Sequence, residues 1–270
     1  MQQKVFKQNI FRYIKIWLLC LKASLKRGRV YKSEIVVRIL RTLFILLTQL
    51  LMLSIVFGNQ EYLAGWSRSE AYLVLGIWNV MNYMGWAFFG INLLALERRV
   101  LEGDFDFVLL KPISSAWLVS FGEFSSHSAI SAFSGMVLIG YYFVTNWTII
   151  SWGNVAIGFV ACLVGFMIWY AMYLLFASFT ISVPRNGFLS IAKEILALTR
   201  YPTSIYTGVL QLVFYSVIPI AFVAVVPANF IIGREHIVLL FLGLCLAVAF
   251  LRLSLWMWKV NVRKYASAGG

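Results

Sequence analysis

Residues 237–258 read IVLLFLGLCLAVAFLRLSLWMW, and Arg252 is the sole charged side chain in the run. A helix of roughly 20 mostly apolar residues spans the hydrocarbon core of a bilayer, and in lipid every backbone polar group must be satisfied within the structure that crosses it. That constraint governs the whole chain, because comparable stretches recur at about 36–58, 71–95, 116–144, 153–179 and 206–226. Composition agrees: 61% of the 270 residues are hydrophobic and 12% are charged, whereas a soluble domain carries about 25% charged residues. The expected fold is an all-α membrane protein, a single transmembrane domain over 1–270 with six transmembrane helices across 36–258 and a cytoplasmic tail at 259–270. No signal peptide is expected, since the first basic stretch leads into an interrupted apolar pattern without a small-residue cleavage site.

The basic residues orient these spans. Eleven Lys and Arg lie in 1–41, three in 96–115, three in 180–205 and three in 259–264. Threading six spans puts all four regions on one side, with Arg68 and Arg234 on the other. The excess of Lys and Arg in cytoplasmic loops then places both termini in the cytoplasm of a multi-pass protein of the cell (plasma) membrane. The same distribution accounts for the net charge of +13 through membrane orientation, not nucleic-acid binding. Trp66, Trp147 and Trp152 are expected at the outer interface, and Trp117, Trp256 and Trp258 at the inner one, where amphipathic rings settle.

The N-terminal segment follows another pattern. Phe6, Ile10, Ile14, Trp17, Leu21 and Leu25 recur at helical spacing while Lys7, Lys15, Lys22 and Lys26 occupy other faces. Residues 1–32 are thus expected to form an amphipathic helix in the cytoplasmic interface, in contact with membrane lipid. Between Tyr201 and His236, Pro219 and Pro227 each remove a backbone donor. Residues 219–235 are therefore read either as a re-entrant piece or as a kinked helix with an outer loop. Gly140, Gly158 and Gly165 would permit close helix approach. Cys20, Cys162 and Cys245 lie in apolar stretches and read as small hydrophobes, not disulfides or ligands.

Motifs for resident chemistry are missing. The chain has no G-x-x-x-x-G-K-[ST], no H-E-x-x-H and no G-x-S-x-G. It is therefore expected not to be an enzyme itself, and to bind no cofactor or metal. Glu123 and His127, four residues apart within the third span, are expected on one helix face as a candidate substrate path or an interhelical polar contact. Arg38 and Arg41 read as anchors at the start of the first span, and Arg252 as a residue that snorkels.

One segment fits neither lipid nor a plain turn. Residues 97–124 read ERRVLEGDFDFVLLKPISSAWLVSFGEF, a pattern of E-x(5)-G-x-x-D-x-x-L-L-x-P-I-S. This resembles the cytoplasmic stretch after the second span in ABC type-2 transporter permeases, the membrane subunits of ATP-driven exporters. Glu97, Gly103, Asp106, Leu109, Leu110, Pro112 and Ser114 are the matching positions. RYPTSIY before the fifth span, IPIAFVAVVPANFIIG and the ending RKYASAGG are similar to the six-span branch of that family.

The resemblance implies an ABC type-2 exporter-like fold and a permease that pairs with a second copy or a paralogous subunit. It also implies a pair of separate ABC ATPase subunits, which bind the ATP and Mg, docked on short cytoplasmic coupling helices. Residues 102–111 suit such a helix, with Asp104 capping its start and Pro112 ending it. Apolar residues there would fill a groove on the ATPase, and the acids and Lys111 would fix its orientation. The expected function is export of an amphipathic or hydrophobic substrate such as a lipid, drug-like molecule or peptide. A membrane-embedded lipid-modifying enzyme using Glu123 and His127, or a nontransporting membrane anchor for an ATPase, are the alternatives.

Overall fold

In a computed structural model, described for residues 10–28, 32–185, 187–200 and 208–266, the chain is a helical bundle with a single two-residue hairpin, Tyr62–Leu63 against Trp66–Ser67, among the described residues. Four helices there are long and apolar enough to cross a membrane: Val36–Phe57 within α2 (Lys32–Phe57), Ser126–Thr145, Trp152–Ser182 (α10) and Ile237–Lys264 (α14). These match the expected first, fourth and sixth spans and most of the third.

The remaining apolar stretches are helical in pieces. α3 (Arg68–Gly85) passes through a π-helical turn, Trp86–Gly90, into α4 (Ile91–Leu94), and α5 (Leu96–Leu101) follows. The expected 71–95 helix is thus present but carries a π-bulge, a feature frequent at functional sites. The expected 116–144 helix is broken. α7 (Ser115–Phe121) stops at Gly122, and the chain re-enters helix only at α8 (Ser126–Ser131) and α9 (Phe133–Thr145). Backbone polar groups freed by the two irregularities satisfy each other. Ser125 N–H donates to the carbonyl of Ala87 in the π turn at 3.0 Å. Asn92 Nδ2 donates to the carbonyls of Ser120 and Glu123 at 2.9 and 2.7 Å. Irregular backbone is tolerated inside a membrane bundle only on such terms.

The expected 206–226 span requires correction. α12 (Val209–Tyr215) and α13 (Ala221–Ile232) are separate helices, and Pro219 lies in the turn between them instead of kinking one helix. Pro227 is inside α13, which at 12 residues spans about 18 Å, short of the roughly 30 Å hydrocarbon core. α13 is buried along nearly its whole length between α10 and α3. Gly165 of α10 makes that packing possible, because a Cβ there would collide with the carbonyl of Phe222. Gly158 similarly admits Ile231, whereas Gly140 faces open space and supports no approach.

The 180–205 region, expected as a cytoplasmic loop, instead holds α11 (Phe188–Ala197) and a 3₁₀ turn, Leu198–Arg200. Leu189, Ala192 and Leu196, spaced three and four apart, bury one face of α11, and Trp78 Nε1 of α3 donates to the Leu196 carbonyl at 3.2 Å. Of RYPTSIY only Arg200 is among the described residues; YPTSIY and the final glycines lie outside them.

The core is strongly aromatic. Phe89, fully buried in the π turn, meets Phe166, Trp169, Tyr170 and Tyr173 of α10 edge-on, with centroids 5.2–6.1 Å apart. At one end of the bundle Arg234 clamps the α13–α14 turn onto α3. It pairs with Glu70 at 2.6 Å, donates to the Gly65 carbonyl and stacks on Trp66. Trp66 and Trp258 are accordingly buried in protein and do not form part of an exposed belt, while Trp147, Trp152 and Trp256 are exposed.

α1 (Ile10–Gly28) lies against α7 and the π turn. Tyr13 packs on Trp117, Trp17 stacks on Phe88, and Ser24 Oγ accepts from Phe124 N–H. Its packed face is therefore Tyr13, Trp17 and Ser24, while Ile14, Leu18 and Leu25 form a second, exposed apolar stripe. Phe6 and Lys7 of the expected amphipathic pattern lie outside the described residues. The cysteines are free, and Cys245 is exposed, not buried.

Candidate coupling surface and polar cavity

The acidic segment folds into a small platform. Gly103 turns the chain with φ +79°, a left-handed conformation that other residues adopt at a cost. α6 (Phe105–Leu109) follows. Asp104 stands at its N-cap position, but its side chain makes no capping bond, contrary to expectation; the first turn closes instead through Asp106 N–H to the Gly103 carbonyl. The helix ends at Leu109, three residues before Pro112.

α6 divides its apolar residues between two faces. Phe105 is fully buried, its ring edge-on to Trp258 and Tyr265 at 6.3 and 5.2 Å, and Val108 is buried beside it. Phe107, Leu109 and Leu110 are exposed, Leu110 at 80%. Trp258 also donates to Ser115 Oγ of α7 at 3.0 Å. Three residues further along α14, Asn261 accepts from Ser182 and donates to Ser178, both on α10. Contacts and hydrogen bonds thus connect α6 to α7, α14 and α10. Of the expected site residues, Glu97 is half-buried on α5, Gly103, Asp104 and Asp106 form the turn into α6, and Leu109, Leu110 and Pro112 are exposed at its end.

Glu123 and His127 do not share a helix face as expected. Glu123 lies in the break after α7, and His127 lies in the first turn of α8. Both nevertheless line one small cavity of about 300 Å³, together with Ser24 and Asn92. No cluster of metal-ligating side chains exists among the described residues.

His127 also borders a larger cavity of about 520 Å³ between α2, α3, α8 and α11. Arg38, Arg41, Lys193, Glu194 and Arg200 supply its charged groups, and His127 adds an imidazole. A reciprocal amide pair, Gln49 with Asn79, closes one end of this space at 2.9 and 3.4 Å, and Thr42 bonds Ser131 at 2.9 Å across the α2–α8 seam. Tyr83 sits beside Thr42, within electrostatic reach of Arg41 and Arg200. Arg200 stacks on Trp78 with its guanidinium carbon 4.6 Å from the ring centroid. Trp78 is ten residues along α3 from Arg68, about 15 Å at the helical rise, so Arg200 reaches deep into the bundle.

Sequence reasoning missed Arg200. The signal available was FLSIAKEILALTR, a helical apolar face ending in a cation inside a stretch taken as loop.

A family model described as "ABC-2 family transporter protein" matches residues 43–269. No curated protein and no solved structure matches the chain.

Proposed function

The chain belongs to the ABC-2 transporter family, and from that premise we propose that it is the membrane subunit of an ATP-driven exporter of amphipathic or hydrophobic substrates. In this reading it hydrolyses no ATP itself. A pair of ABC ATPase subunits, carrying the ATP and Mg, docks on residues 102–111, and a second copy of this chain or a paralogous permease completes the pore. Both termini and α6 face the cytoplasm. Six crossings arise when Arg68–Leu94, through its π turn, and the α11–α13 region, in pieces, cross together with the four long helices.

The observation that carries this reading is the division of α6. Phe105 and Val108 fasten the helix to the bundle, while Phe107, Leu109 and Leu110 stand out from it. Exposed apolar residues beside Asp104, Asp106 and Lys111 suit a groove with a complementary polar rim. The anchored residues give movement of such a partner a path into α7, α10 and α14. Direction of transport rests on family membership.

The test is to extract the tagged chain gently from its native membrane and label the eluate with a photoreactive ATP analogue. A labelled protein distinct from the chain is expected. Isolation of the chain alone, while other membrane complexes survive the same extraction, contradicts the proposal.

A further inference from the structure

The larger cavity is suited to a negatively charged ligand. Arg38 and Arg41 face it from α2, His127 from α8, and Lys193 and Arg200 from α11 and its 3₁₀ turn. Glu194, the single acid among the described lining residues, lies 3.7 Å from Lys193. Arg38, Arg41 and Lys193 are exposed, whereas Arg200 is half-buried, and a cation withdrawn into a membrane bundle is costly unless a counter-charge or hydrogen bonds accompany it. Arg200 is the clearest case. Its guanidinium is stacked on Trp78, which occupies a face and leaves the N–H edge for an acceptor, yet its buried Nε has no hydrogen-bond partner. A planar guanidinium with an unpaired Nε–H matches the geometry of phosphate oxygens.

A second observation says what carries the anion. The helix that contributes Arg38 and Arg41 is apolar and outward-facing on either side of them: Val36, Val37, Leu40, Leu43, Phe44 and Leu47 are all about half exposed or more. Ile45 and Ile91 bring apolar surface to the cavity wall itself. Charge inside and grease alongside suit an amphiphile whose head enters while its chains remain against α2. The volume of about 520 Å³ falls within the range of roughly 300–1,000 Å³ typical of small-molecule sites.

We propose that the cavity between α2, α3, α8 and α11 binds the phosphate-type oxyanion headgroup of an anionic, lipid-like amphiphile. This names the substrate class of the exporter reading and rests on that reading for the transport step; the binding itself is independent of any ATPase.

The test measures binding to the full chain in a neutral sugar detergent by native mass spectrometry. The probes are phosphatidylglycerol, phosphatidylcholine and inorganic phosphate. Phosphatidylglycerol is expected to bind at one copy per chain and to outcompete phosphatidylcholine. Arg200→Gln and Arg41→Gln each lower its affinity roughly tenfold or more, as loss of a charged hydrogen bond requires. Arg200→Lys, which keeps the charge, retains part of the binding, and Arg252→Gln, which removes an exposed charge from α14, leaves it unchanged. Equal binding of the two lipids, or indifference to Arg200→Gln in a variant with unaltered thermal unfolding, overturns the site. Inorganic phosphate bound as tightly as the lipid overturns the amphiphile. Lipid binding without any associated ATPase refutes the coupling proposal and leaves the site standing, and the converse result does the opposite.

Discussion

Asn92 shows how much one polar side chain holds together. Its amide bridges the carbonyls of Phe88, Ser120 and Glu123, at the place where the π turn meets the break after α7. Replacing it by Ala strands those acceptors in a buried setting, at a cost of about 1–3 kcal/mol. Thermal unfolding of the purified chain in detergent should show the loss, and an unchanged midpoint would mean water replaces the amide at no cost. Nothing in the sequence marks Asn92 out from Asn79 or Asn82, because its value comes from two irregularities that lie some 30 residues apart in the chain. Gly103 was legible only as a position of the family pattern; that it turns the chain, with φ +79°, comes from the fold. Arg200 was not legible, since a cation near a cytoplasmic loop reads as an anchor until the fold places it on Trp78.

Among the elements, the long uninterrupted apolar helices were read correctly because periodicity and length act locally. α2, α10 and α14 need only their own hydrogen bonds to be stable in lipid. The broken elements depend on neighbours. α13 is short and carries Pro227, yet it is buried because α10 presents Gly158 and Gly165 to it. Gly165→Ala should cost about 1–3 kcal/mol through forced separation of α10 and α13. Gly140→Ala, in open space on α9, should be neutral or slightly stabilising through its higher helix propensity. Thermal unfolding of the two variants side by side checks the pair; equal midpoints would deny the close approach. The α6 platform was legible in outline from its Gly-Asp-Leu-Leu-Pro pattern, but which apolar residues point inward was not, since Phe105 and Phe107 look alike in sequence.

For the whole molecule, orientation and energy coupling are the claims to test. With Cys20, Cys162 and Cys245 replaced by Ala, a cysteine at Lys111 should resist a membrane-impermeant maleimide in intact cells, and one at Gln60 should react. Labelling of both, or of Lys111→Cys alone, would reverse or abolish the assigned topology. The fold makes these two ends unequal. One is held by the Arg234–Glu70 clamp, and the other carries the α6 platform with α14 and α7 beneath it. The basic residues of the sequence led only to an expected orientation, and the cation-rich cavity between the ends required the packing of α11 against α3.

The central claim is that an external ATPase drives this chain through the exposed face of α6. Its most direct test compares ATP hydrolysis per mole of chain in affinity eluates of the unaltered protein and of Leu110→Asp. Leu110 is 80% exposed, so the substitution leaves the fold intact, while a charge in an apolar docking groove costs about 2 kcal/mol or more, a loss of roughly thirtyfold in affinity. The expected result is activity in the first eluate and its near disappearance in the second, at equal thermal stability. No activity in the first, or equal activity in both, would contradict the account.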